Sequence, residues 1–226
     1  MKNAIALLLL QALVSCNTAG GGEENTEEVV SDTVNVETET NTEPEVVPQA
    51  FTVMDASEFD LSQLSYTGEM KMKKFWLDAK GENIVLFTGQ EDLDKGEATL
   101  FVYHYLINEG KAELLKEITG SVTDCADADL FLDFNEEALS VSDLDENNIG
   151  EITFAYRKAC VTDVSPHDLV LHLLEDGNEY SLVGYNEVQI GPQDRIGGNV
   201  IEKNFDGASP SFFAHANEVW EKIKGY

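Results

Sequence analysis

NIVLFT at 83–88 and EITFAY at 151–156 are the two stretches from which the fold of this 226-residue chain is best read. Each is a short apolar run of strand length, and runs of this kind recur from Phe75 onward, separated by turn residues every eight to twelve positions. That rhythm is the signature of antiparallel β structure. The spacing predicts strands over 83–88, 98–106, 111–118, 128–134, 138–142, 151–157, 168–175 and 179–186. Asn108, Glu109 and Gly110 mark one hairpin turn and Asp176 with Gly177 another, since glycine supplies the positive φ that tight hairpins need.

The two stretches belong to a repeat. FVYHYL at 101 aligns with LVLHLL at 169 and Gly110 with Gly177, so the three matched features are offset by 68, 68 and 67 residues. Matched features in one order at one period point to a duplicated unit, although unrelated strand-turn-strand segments share some of this character. Each unit reads as a meander of three or four strands resembling a propeller blade. Two blades do not close a ring, so the two sheets are expected to pack face to face or side by side. The expected fold class is therefore all-β and antiparallel: two repeated meander units, propeller-blade-like or sandwich, with one C-terminal α-helix.

That helix is predicted over 210–224. Ser209 suits the N-cap and Pro210 the first turn, and Phe212, Ala216, Val219, Trp220 and Ile223 form one apolar stripe. Lys222 and Lys224 complement the dipole at its end, and Gly225 follows as a stop. Packing against the sheet explains the stripe better than a membrane-surface helix, whose polar face should be basic.

Residues 1–15 read as a lipoprotein signal peptide: Lys2, then the apolar run AIALLLLQALV, then Ser15. Leu13, Val14, Ser15 and Cys16 resemble the lipobox of bacterial lipoproteins, in which signal peptidase II cuts before a cysteine that receives lipid. The competing reading is an ordinary secretory signal with a chance cysteine. Acyl chains on Cys16 would give an effectively permanent membrane anchor. Behind it, residues 16–50 hold nine acids and no base, the composition of a disordered tether, with roughly 30–35 Å of reach before charge repulsion extends it. The acids at Glu23 and Glu24 are similar to the export signals that carry Bacteroidota lipoproteins to the outer face of the outer membrane. Residues 51–226 form the β-rich domain.

Forty-three acids against fourteen bases give a formal charge of −29, which excludes a nucleic-acid binder driven by phosphate contacts. The domain itself has thirty-four acids and thirteen bases, as expected of a solvated acidic surface or of sites that await divalent cations. In VSDLDENNIGEITFAY at 141–156, Asp143, Asp145, Asn147 and Glu151 fall at relative positions 1, 3, 5 and 9, with the carbonyl of Ile149 at 7. This is the ligand order of an Asp-rich calcium loop, and its run directly into a strand looks like the calcium loops of integrin-type propeller blades. Asn148 stands where glycine is usual; asparagine tolerates the left-handed region. A solvated turn rich in Asp and Asn is the alternative. The corresponding first-unit loop, WLDAKGEN, aligns Asp78 with Asp145 but has Trp76 and Lys80 at ligand positions, so it is expected to bind no metal, Lys80 acting as a local counter-charge.

With Cys16 lipidated, Cys125 and Cys160 remain as an even pair, which in an exported protein suggests a disulfide. His104 and His172 occupy the same place in the two repeats, a shared strand position more than a ligand set. No GxSxG, Walker or dinucleotide fingerprint occurs, so no catalytic residue is assigned. Phe101, Tyr103 and Tyr105 alternate as either a sugar-stacking face or, more commonly, core.

The lipobox, the stretch from Trp76 through GENIVLFT, FVYHY at 101–105, VSDLDENNIGEITFAY, and Cys160 with DVSPHDL at 163–169 together resemble a family of Bacteroidota lipoproteins described as surface polysaccharide biosynthesis proteins. The resemblance spans roughly residues 66–224 and brings no catalytic residues with it. It implies a lipid-anchored envelope protein with a non-enzymatic binding or accessory role, whose partners are the membrane and a polysaccharide or envelope protein. A polysaccharide-acting enzyme with an acidic site and a calcium-stabilised adhesion module are the other two readings of the chain.

Overall fold

The computed structural model describes residues 49–55 and 59–225. The signal peptide, Cys16 and all of the tether before Gln49 lie outside the described residues.

Two four-stranded meanders form the body. The first comprises β2 (Glu69–Asp78), β3 (Gly81–Asp92), β4 (Glu97–Asn108) and β5 (Lys111–Val122), and β1 (Thr52–Met54) adds to its β2 edge. The second comprises β6 (Asp129–Ser142), β7 (Glu151–Val161), β8 (Asp168–Glu175) and β9 (Asn178–Tyr185). A small hairpin follows, β10 (Glu187–Gln189) with β11 (Arg195–Gly197), and β12 (Val200–Lys203) pairs with β9. All pairings described are antiparallel. NIVLFT falls in β3 and EITFAY in β7, FVYHYL in β4 and LVLHLL in β8, so the repeated segments occupy equivalent strands. The hairpin turns take the expected left-handed backbone, with φ of 51° and 75° at Glu109 and Gly110, and 46° and 77° at Asp176 and Gly177.

The two sheets pack face to face. Val85, Phe87, Leu100 and Val102 of one sheet share a core with Ile152, Phe154, Tyr156 and Val170 of the other. Phe87 meets Phe134 and Phe154 edge-on, at centroid distances of 5.2 and 5.3 Å. The outer faces are covered too, which is why β3 and β8 are continuously apolar and do not alternate. Residues 59–67 lie over Phe75, Ile84, Leu86, Tyr103 and Tyr105, while α1 (Pro210–Ile223) covers Ala155, Leu169, Leu171 and Leu182 with Ala216, Trp220 and Ile223. The stripe is thus packing. Tyr103 and Tyr105 are core as well: Tyr103 Oη accepts from Thr67 N at 3.2 Å and Tyr105 Oη donates to Ser65 O. They form no sugar-stacking face.

Three expectations are corrected. No strand is predicted before residue 83, yet Glu69–Asp78 is β2, whose lysines in EMKMKK mask the apolar rhythm. The segments 128–134 and 138–142 are one strand, β6, with a register irregularity between Asn135 and Ser140. Ser209 precedes α1 but makes no side-chain cap; its Oγ lies 2.9 Å from Ser211 Oγ, and its carbonyl accepts from Phe212 N.

Candidate metal centre

The loop between β6 and β7 is shaped by its own carboxylates. Asp143 accepts Asn147 N through Oδ1 and Asn148 N through Oδ2, both at 3.1 Å. Two residues turn through the left-handed region, Glu146 at φ 62° and Asn148 at φ 64°, so the asparagine at the glycine position adopts the conformation that a calcium loop demands. Asn147 Oδ1 accepts Ile149 N at 2.6 Å. At the end of the loop Glu151 is fully buried, and its Oε2 accepts Leu144 N at 2.7 Å.

One carboxylate oxygen from each of Asp143, Asp145 and Glu151 lies within 4.8 Å of the others. Two oxygens held about 2.3–2.6 Å from one calcium ion can stand no more than about 5 Å apart, so this span suits that ion. Asp145 Oδ1 and Glu151 Oε1 are buried without a hydrogen-bond partner, an arrangement that costs free energy unless a cation or proton is supplied. Burial pushes the Glu151 carboxyl up to about 8; the Leu144 N–H opposes the rise, and Glu175, Asp145 and Asp143 add to it. Of the five residues in the sequence-derived ligand set, the structure brings the carboxylates of Asp143, Asp145 and Glu151 together. Asn147 instead turns its Nδ2 to Glu175 Oε1, at 2.8 Å.

The loop stands on the first repeat. Asp78 is buried and saturated: Oδ2 accepts from Trp76 Nε1, Asn83 Nδ2 and Gly150 N at 2.9–3.0 Å, and Oδ1 accepts from Lys80 N and Gly81 N. Ala79 N adds a bond to Asn148 O at 2.8 Å. Gly150 must be glycine, because a Cβ there would meet the Trp76 ring at 2.4 Å. The aspartate that aligns with Asp145 of the second unit therefore holds N–H groups and serves as a footing for that loop. Lys80 pairs with Asp176 at 3.1 Å, and so serves the second unit more than its own loop.

No family model, curated protein or solved structure matches this chain.

Elsewhere, Cys125 and Cys160 form a disulfide with Cα atoms 5.5 Å apart, fastening the crossover between the sheets to β7. Gly96, at φ 65°, leaves room for the 125–126 backbone to pass. The matched histidines both lie between the sheets. His104 Nε2 is 3.0 Å from Asn83 Oδ1, and since Asn83 Nδ2 already donates to Asp78, the histidine is the donor. Its Nδ1 is buried without a partner, and burial lowers its pKa to about 4. His172 Nδ1 meets Glu179 Oε1 at 3.0 Å, and Lys116 Nζ meets Glu179 Oε2 at 2.8 Å. These two bonds, His172 first, hold the Glu179 carboxyl down at about 2. Glu175, bonded to Asn147 of the loop, and the partly buried Glu179 beside His172 are acids that no sequence motif singled out.

Proposed function

We propose that this chain is a lipid-anchored envelope protein with a binding or accessory role, whose β-sandwich domain is stabilised by one calcium ion held by Asp143, Asp145 and Glu151. The observation that carries the reading is Glu151: a fully buried carboxylate with one partnerless oxygen, clustered with the carboxylates of Asp143 and Asp145. A hard cation with oxygen ligands relieves all three at once.

The anchor reading rests on Leu13 to Cys16 and on the acidic tether behind them. The resemblance to surface polysaccharide lipoproteins directs the binding role toward envelope glycans. On this reading the domain presents a rigid, acidic surface at the end of a tether, and calcium, abundant outside the cell, keeps it folded there.

Metabolic palmitate labelling tests the anchor. Wild-type protein incorporates label and fractionates with membranes, whereas Cys16→Ala is released or accumulates as precursor. Unlabelled wild-type protein would overturn it. Co-sedimentation with purified surface polysaccharide, in calcium and in EDTA, tests the binding role.

A further inference from the structure

We propose that Glu175 is a fourth protein ligand of this centre and Asn147 its positioning residue, so that the ion joins the 143–151 loop to strand β8. The inference rests on the calcium reading above and extends it.

Glu175 and Glu151 are direct partners in the β7–β8 ladder, so their side chains leave the sheet on the same face. Glu151 carries the decisive feature: it is fully buried, with Oε1 unpartnered, beside the carboxylates of Asp143 and Asp145. Glu175 Oε1 accepts from Nδ2 of Asn147, in the same acidic loop, at 2.8 Å. Asn147 is in turn fixed by its Oδ1, which accepts Ile149 N at 2.6 Å. Both ends of the asparagine amide are thus engaged within the protein, so it is suited to orient a carboxylate more than to ligate. The Glu175 carboxylate stands outside the 4.8 Å group and closes onto the ion by a side-chain rotation, presenting Oε2 while Oε1 stays with Asn147.

Four carboxylates closing on one ion favour a hard cation that accepts many oxygen ligands, calcium over magnesium, whose shorter bonds and strict octahedron fit such a spread poorly. They also explain why the position-12 glutamate of an EF-hand is dispensable here: the neighbouring strand supplies the outer carboxylate.

Terbium, a calcium surrogate, is titrated into the full-length chain in detergent, with Trp76 as luminescence donor. The Trp76 ring lies against Gly150, at the end of the same loop. Glu175→Gln keeps the shape and the Asn147 contact, and is expected to weaken terbium and competing calcium about tenfold. It should also add one coordinated water, read from lifetimes in H2O and D2O. Glu146→Gln, in the same loop, controls for loss of charge alone and should change affinity less than twofold. Asn147→Ala should weaken binding severalfold with no gain of water if Glu175 still ligates. If wild type binds and Glu175→Gln binds equally, or gains no water, this proposal falls and the three-carboxylate site stands. If wild type gives no saturable binding beyond that of Asp145→Ala, both fall.

Discussion

Asp78 Oδ2 accepts the backbone N–H of Gly150 at 3.0 Å, across 72 residues of sequence, so a buried carboxylate of the first repeat fixes the end of the acidic loop in the second. The same oxygen also satisfies Trp76 Nε1 and Asn83 Nδ2. Removing it strands several buried donors, each costing about 1–3 kcal/mol. Asp78→Ala should therefore destabilise the domain by about 3–5 kcal/mol in urea unfolding, and should weaken calcium binding although Asp78 is not a ligand. A loss below about 1 kcal/mol would show that the footing is unimportant.

His104 sets a pH dependence. Its proton acceptor Nδ1 faces no partner, so the folded protein resists protonation down to about pH 4, whereas the unfolded histidine titrates near 6.5. Its contribution is whole above pH 6.5 and is lost as the pH falls toward 4, by up to about 3 kcal/mol. His104→Gln removes the titration. The stability gap between wild type and this variant should narrow by about 2–3 kcal/mol between pH 7 and pH 4.5, measured by urea unfolding; a constant gap would contradict the assignment.

The Cys125–Cys160 bridge closes a separation of 35 residues. On the chain-entropy account that stabilises by roughly 4 kcal/mol. Non-reducing mass spectrometry should find the two cysteines linked, and Cys125→Ala with Cys160→Ala should lower the urea midpoint accordingly. Two alkylatable thiols in native protein would refute the bridge.

Strand order, hairpin turns, helix and disulfide were legible because each is a local or arithmetic signal: NIVLFT, the Asp176–Gly177 turn, the stripe from Phe212 to Ile223, an even cysteine pair. β2 was not legible because its lysines interrupt the apolar rhythm, and in the fold β1 pairs with it at Phe75, Trp76 and Leu77. Lys71, Lys73 and Lys74 therefore lie on a stretch of edge where charge discourages pairing with other chains. The spacing of Asp143, Asp145 and Glu151 carried the core of the candidate centre, but Glu175 arrives by strand register from 24 residues further on, and no linear motif encodes that. The role of Asp78 was hidden for the same reason: alignment of the repeats equates it with Asp145, whereas only packing shows which N–H groups it serves.

Thermal unfolding of the full-length chain in EDTA and in 10 mM calcium decides whether residues 143–151 hold an ion. A ligand that binds only the folded state stabilises by RT ln(1 + [L]/Kd), and an extracellular site has a Kd of about 0.1–1 mM. Tm should thus rise measurably in calcium for wild type, by an amount equivalent to about 1.4–2.7 kcal/mol, and the rise should disappear in Asp145→Ala. Superimposable wild-type curves in EDTA and calcium would contradict the account and leave residues 143–151 a solvated acidic turn.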